Sequence, residues 1–443
     1  MLRRITQVWR NPEHRTVIAN TVSLSGLKIA NSVLPLITIP YVVRVIGPSN
    51  YGAVAFAQAF AMYFTLVVNY GFDFSASREI AWVREDAGKL SEVFWSVLWT
   101  KVALLLGATI VFGGLVSVVP QLRSHWQLMF ASYLIVFGYV AFPTWFFQGI
   151  EKLGFTAIFN FAIKVLFTGG IFVLLRHKEQ FILIPLLMSI GQVFVGCLAL
   201  VFAKAKLLRS FRRPSVSAML NQLRTGWTLF ISMAFINMYS ASNTVILGFF
   251  AAETSVGYFA ASSKIVGGIL TLLLVPFVQA SYPHIGKLMR ERKDKGIEYL
   301  KKVGLVVVLV SIPSSVAVFA LAPFIVKVFL GEQFSESIGV LRVLSVIPIV
   351  VGLHNLLGDQ WLLNLNQDKA FLRIVASGFI VNLGLNIVLA ATLKEIGSAL
   401  SWVLTEVYES VGFFLMIRRQ GLKVVDIHFY RQWLFEAAGR SQL

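Results

Sequence analysis

KAKLLRSFRRPSVSAMLNQLR, residues 204–224, carries six basic residues and no acidic one, and long apolar segments flank it on both sides. A stretch of this polarity cannot sit in hydrocarbon, so it reads as a surface loop that divides the chain into two runs of apolar segments. The whole chain of 443 residues is 57% hydrophobic and only 14% charged, against about 25% charged in a soluble domain. Its mean hydropathy is +0.75. Segments of about 20 apolar residues recur, each long enough to cross a hydrocarbon layer of about 30 Å. The period-2 alternation of barrel strands is absent, which selects an all-α integral membrane protein.

Breaks in hydropathy predict about twelve spans, near 17–43, 50–72, 93–118, 126–148, 155–175, 181–203, 225–250, 256–283, 299–322, 337–365, 371–392 and 396–417. Six lie on each side of the basic loop. The expected division is an N-terminal six-helix lobe at 1–203, a cytoplasmic linker at 204–224, a C-terminal six-helix lobe at 225–417 and a cytoplasmic basic tail at 418–443. Met1 to Arg15 is basic and leads into a long apolar stretch, which reads as a signal-anchor first helix. Pro35 and Pro40 bend the first span, Pro276, Pro283 and Pro313 bend later ones, and Asn355 to Gln360 weakens the tenth.

Charge placement orients the spans. With both termini in the cytoplasm, the basic clusters at 3–15, 78–89, 204–224 and 287–302 all face inside, as does the tail. Only Arg44, Arg123, Arg176, Lys178, Lys327 and Lys394 face outside. The net charge of +18 is therefore explained by the excess of Lys and Arg in cytoplasmic loops, with no nucleic-acid partner. A weak internal echo supports duplication: Val45-Ile46-Gly47 followed by Tyr51-Gly52 matches Ile246-Leu247-Gly248 followed by Val256-Gly257. Parallel repeats of this kind are a mark of transporters.

Enzyme chemistry has little support. Cys197 is the single cysteine, so no intrachain disulfide or thiolate cluster can form. The chain contains no Walker A sequence, no His-Glu-x-x-His and no Gly-x-Ser-x-Gly, and its short loops leave no room for a soluble catalytic domain. No cofactor or metal is expected.

Four lysines lie inside apolar segments: Lys28, Lys101, Lys164 and Lys264. A cation at the centre of a membrane helix costs roughly 2.5 to 3.5 kcal/mol and persists near an interface or facing a cavity. Lys28 is flanked by Gly26 and Asn31, and Lys264 stands beside Ser262, Ser263 and Gly267-Gly268. Both settings admit a ligand, whereas an internal salt bridge or snorkelling is the structural reading. Lys101 and Lys164 line the same path or reach its edges. Arg44, before Gly47-Pro48, either grips a phosphate through its planar fork or anchors the interface. His354 and Asp359 in span ten form a charge partner for a lysine, or else a proton carrier. Asn382 and Asn386 share a helix face and bond either sugar hydroxyls or neighbouring helices.

Residues 34–60, LPLITIPYVVRVIGPSNYGAVAFAQAF, and 69–81, NYGFDFSASREIA, resemble the bacterial O-antigen flippases of the polysaccharide transport family. The likeness continues through FPTWFFQGIEKLG at 142–154. The resemblance implies two six-helix lobes around a central cavity in the bacterial inner membrane. It implies movement of undecaprenyl-diphosphate-linked oligosaccharide across the cytoplasmic membrane by alternating access, with Lys28 and Lys264 comparable in location to basic residues of relatives. The partners it implies are that lipid-linked oligosaccharide, membrane lipids, and glycan polymerase and chain-length machinery. Ion coupling is left open. The alternatives are a multidrug extrusion-type carrier and a non-transporting scaffold of a glycan assembly complex.

Overall fold

The structure is a computed structural model that describes residues 12–208, 211, 213–422 and 424; inside its helices, the side chains of residues 12–33, 35, 36, 153, 232, 236, 237, 239, 240 and 275 lie outside that description. The helices are α1 (Pro12–Asn69), α2 (Phe72–Val83), α3 (Ala87–Val118), α4 (Pro120–Arg123), α5 (Trp126–Ala141), α6 (Thr144–Gly149), α7 (Leu153–Leu174) and α8 (Leu183–Lys206). After the basic loop come α9 (Val216–Phe250), α10 (Glu253–Leu273), α11 (Val275–Glu291), α12 (Lys293–Ile325), α13 (Ser337–Leu344), α14 (Ile347–His354) and α15 (Asp368–Arg419). Wide-turn π segments occupy Val326–Leu330 and Asn355–Leu363.

Among the described residues, nine helical stretches are long and apolar enough to cross a membrane. Helices satisfy every backbone group internally, which hydrocarbon demands. Ile37–Val83 and Asp368–Arg419 run 47 and 52 residues, longer than one crossing requires. Each is interrupted where the sequence predicts a boundary between spans. Gly47 breaks α1 at φ 75°, a conformation open to glycine, and Lys394 breaks α15 at φ 52°. Predicted span eight is divided at Leu274, where α11 starts with a proline in its first turn.

The helices gather into two compact units, Met1–Ala260 with Phe329–Phe334, and Ala261–Val328 with Ser335–Leu443. The first unit runs on through the basic loop as far as Ala260. Glycines of the internal echo explain why α10 begins in the first unit. A Cβ on Gly52 would collide with the Glu253 carbonyl, and one on Gly257 with the Pro48 carbonyl. Backbone meets backbone at this crossing of α1 and α10, as small residues permit between membrane helices. Residues 329–334 join the same unit through Gln333, whose Nε2 donates to the carbonyls of Val43 (3.3 Å) and Arg44 (2.9 Å). The Arg44 carbonyl needs such a donor because the residue four positions on is Pro48, which has no N–H.

Elsewhere in the first unit, α5 and α8 cross closely at Gly138 and Gly196: a Cβ on Gly196 would lie 2.8 Å from the Gly138 carbonyl. The rings of Phe112 and Tyr133 stack at 4.1 Å between α3 and α5, and the Tyr133 and Thr109 hydroxyls bond at 2.9 Å. The FPTWFF stretch buries Trp145, Phe146 and Phe147 almost completely. Glu79 accepts from Gln222 at 2.9 Å, while Arg78 covers the Trp82 ring, so α2 is braced to α9.

In the second unit a core of Ile285, Leu300, Val303, Val307, Trp361 and Phe413 joins α11, α12, the π segment and α15. The two arms of α15 fold back on each other. Asn382 Nδ2 donates to Ser401 (3.2 Å) and Thr405 (3.1 Å), Ser398 donates to Asn386 Oδ1 (2.8 Å), and Gly378 lies against Glu409. Replacing Asn382 with alanine is expected to cost about 0.6 to 1.7 kcal/mol, the range of interhelical hydrogen bonds in membranes, read as a lower unfolding midpoint in detergent.

Candidate functional site

Lys101 is 2% exposed on α3. Its Nζ donates to Asn69 Oδ1 at 3.1 Å and to the Tyr139 carbonyl at 2.6 Å. The carbonyl needs that donor because the residue four positions on is Pro143, which has no N–H. Lysine thus supplies a cation at the C-terminal end of α5, where the helix dipole favours it. Asp73 acts on the ammonium through its charge. These contacts give Lys101 a bracing role inside the first unit rather than an accessible one.

Lys264 has the opposite setting. Its side chain is exposed, and a Cβ on Gly267, one turn along the same face of α10, would meet nothing within 4 Å. Thr271 continues this open face. Buried Ser262, on another side of α10, donates to the Ser337 carbonyl. Lys164 is half-buried on α7, and Arg44 is exposed one turn before the Gly47 break. The side chain of Lys28 lies outside the described residues. No described contact joins Arg44, Lys101 and Lys164 into one group within the first unit.

Asn382 and Asn386 are fully buried, and their partners are the serines and threonine of the facing arm. They therefore hold the α15 hairpin together. His354 is brought to a carboxylate, but not principally to Asp359. Its Nδ1 lies 3.2 Å from Glu406 Oε2 and 3.0 Å from Glu409 Oε2. Asp359 interacts with His354 and Glu406 through charge. Trp402 Nε1 donates to Glu406 Oε1 at 3.2 Å, and the Phe413 ring stands edge-on to His354 at 5.1 Å.

Glu406 and Glu409 were not among the residues singled out in the sequence. The available signal was two carboxylates at i,i+3 in the middle of span twelve, where each would be costly without a partner. Asn69 was likewise not singled out. What the arrangement offers chemically is an exposed cation on an open helix face and, inside the second unit, a buried acid–imidazole cluster. Neither is a nucleophile–base pair.

Fold and site together define a multi-pass α-helical membrane transporter. The chain belongs to the polysaccharide biosynthesis protein family, whose family model matches residues 17–289. It is 28% identical over 405 residues to a putative O-antigen transporter of Escherichia coli (strain K12), covering 91% of this chain and 97% of that protein. Among solved structures it resembles the lipid II flippase MurJ in an inward closed conformation, with a TM-score of 0.74, 14% identity, and coverage of 90% of this chain and 87% of that one. It also resembles an inward-facing multidrug resistance MATE family transporter of the MOP superfamily, with a TM-score of 0.66, 14% identity, and coverage of 89% and 98%. The two-lobed fold is common to these neighbours, and family and neighbours are transporters rather than enzymes.

Proposed function

We propose that the chain flips undecaprenyl-diphosphate-linked O-antigen or related oligosaccharide units across the bacterial cytoplasmic membrane by alternating access. The observation that carries this reading is Lys264, a cation exposed on the open face of a helix long and apolar enough to cross a membrane, in a chain alike over nearly its full length to a putative O-antigen transporter. A diphosphate headgroup loses hydration on leaving the leaflet, and ammonium groups replace part of it through charge-assisted hydrogen bonds. Lys28 supplies a second cation in the N-terminal half. The isoprenoid tail stays in lipid, and no covalent bond is made or broken. Both termini and the 204–224 loop face the cytoplasm, and glycan polymerase and chain-length proteins take the product onward.

The test is reconstitution into vesicles with a lipid-diphosphate oligosaccharide and measurement of its exposure to an impermeant lectin or glycosidase. The intact protein is expected to equilibrate the lipid between leaflets. Lys264→Ala and Lys28→Ala should each slow it by about tenfold, the loss of one charge-assisted contact, with Lys264→Arg retaining more activity than alanine. Unchanged rates in both alanine variants would sink the cationic-grip mechanism. Absence of flipping by the intact protein, or export of cationic dyes instead, would reject the substrate class.

A further inference from the structure

Three helical segments of the second unit enclose an apolar groove of about 440 Å³. α12 contributes Leu305 and Val308, the returning arm of α15 contributes Val411 and Phe414, and the π segment after α14 contributes Leu357 and Trp361. Gly304, also at the groove, adds no side chain to fill it. Its one hydroxyl is already engaged, because Ser410 donates to the Val350 carbonyl at 3.3 Å. At its mouth, Val308 and Val411 are 37% and 50% exposed, and both belong to helical stretches apolar and long enough to cross a membrane. The groove therefore opens sideways, onto hydrocarbon.

Cations mark one end of it. Lys301 is part of the lining, two turns before Val308 on the same face of α12. Arg418 is exposed and continues the face of Val411 and Phe414 one turn further along α15. Both stand at the same end. A Cβ on Gly352 would meet Val307 and Ser311, whereas Leu300 shares a core with Trp361 and Ile417, so α12 runs opposite to the π segment and brings its start to the finish of α15. Val424, beyond Arg418, lines the groove as well. No carboxylate is among the described residues of the lining. An ammonium has three donors, so Lys301 can serve a neighbour in the chain and a phosphate together, and a guanidinium meets a phosphate through two parallel bonds.

We infer that this groove is a binding site for one anionic membrane phospholipid, with an acyl chain between α12 and α15 and the headgroup phosphate on Lys301 and Arg418. An empty hollow leaves its lining atoms without dispersion partners on one side, and an acyl chain supplies them. The charge pattern selects the headgroup: a zwitterionic lipid returns a positive charge to a rim that already holds two, while an anionic one does not. It also separates a resident lipid from a passenger, since a sugar-bearing headgroup would find cations at one end and no free polar side chain along the floor. A bound phospholipid bridges α12 to α15 and braces the second unit.

The test is native mass spectrometry of the full-length protein, released from mild detergent with phosphatidylglycerol or phosphatidylcholine added. One phosphatidylglycerol should be retained at concentrations where phosphatidylcholine is not, and it should raise the thermal midpoint. Lys301→Gln and Arg418→Gln should each weaken retention about fivefold, the worth of one basic residue at an anionic lipid surface. Val308→Trp, which fills the mouth, should abolish both retention and stabilisation. Leu309→Trp should behave as the intact protein, since Leu309 is 62% exposed and does not line the groove. Gel filtration checks folding, and Arg418→Gln, at an exposed position, carries the test if Val308→Trp fails to fold. Equal retention of phosphatidylcholine, or unchanged retention in folded Val308→Trp or in Lys301→Gln with Arg418→Gln, would overturn the site. Retention of undecaprenyl phosphate in preference to phosphatidylglycerol would give the groove to the carried lipid and overturn a resident phospholipid. Neither readout involves flipping, so the outcome is separate from that of the transport reading.

Discussion

Lys101→Met is expected to lower the stability of the folded protein by about 1 to 3 kcal/mol, the usual cost of leaving a buried hydrogen-bonding group unsatisfied. The substitution leaves the Tyr139 carbonyl without the donor that Pro143 cannot provide, and it removes the cation beside the half-buried Asn69 and Asp73. The three groups tie α3 to the turn between α1 and α2 and to the end of α5. Methionine restores the volume but none of the bonds. Thermal unfolding followed by gel filtration should show a large drop in midpoint, and flipping normalised to folded protein should fall far less than the yield. Asn69→Leu added to Lys101→Met should cost little more, because the two share one interaction. Additive losses would show that they act independently. A turnover defect with normal stability would return Lys101 to the substrate path.

Gly52→Val and Gly257→Val form the second case. At either position the first added carbon collides with a backbone carbonyl of the partner helix, and backbone cannot swing aside as a side chain can. Overpacking of this kind costs about 1 to 3 kcal/mol and occasionally more; valine adds two further carbons to the clash. The expected result is little or no folded protein, with alanine at the same sites intermediate. Gly267→Ala is the control, since its Cβ would meet open space; a glycine-to-alanine change inside a helix is then neutral or favourable by up to about 1 kcal/mol. Equal thermal midpoints for Gly52→Ala and Gly267→Ala would refute the close crossing.

Local chemistry explains which features could be read in advance. The breaks at Gly47 and Lys394 fall where hydropathy separates one predicted span from the next, because a loop interrupts an apolar run whatever it later packs against. The prolines of span eight signalled its division near Leu274. The echo glycines were visible as a pattern, but their meeting was not: that Gly52 lies on Glu253 and Gly257 on Pro48 is a fact about two helices two hundred residues apart. Lys101 and Lys264 look alike in the sequence, each a cation in an apolar run. One is enclosed by Asn69 and the Tyr139 carbonyl, and the other lies on an open face.

The acid cluster shows the same division. His354 was legible as an odd residue in a span, and Asp359 as its neighbour in sequence. Its closest partners, Glu406 and Glu409, arrive from the far arm of a hairpin that reverses at Lys394.

By itself the sequence determined the solvent this chain folds in and its helical class. Both follow from the cost of placing each short segment in hydrocarbon, a cost that depends on the segment alone. Only the tertiary structure decided which intramembrane charges are buried braces, which stands on an open face, and which meet in one cluster. A charge in a membrane takes its role from the groups that neutralise it, and here those groups come from other helices.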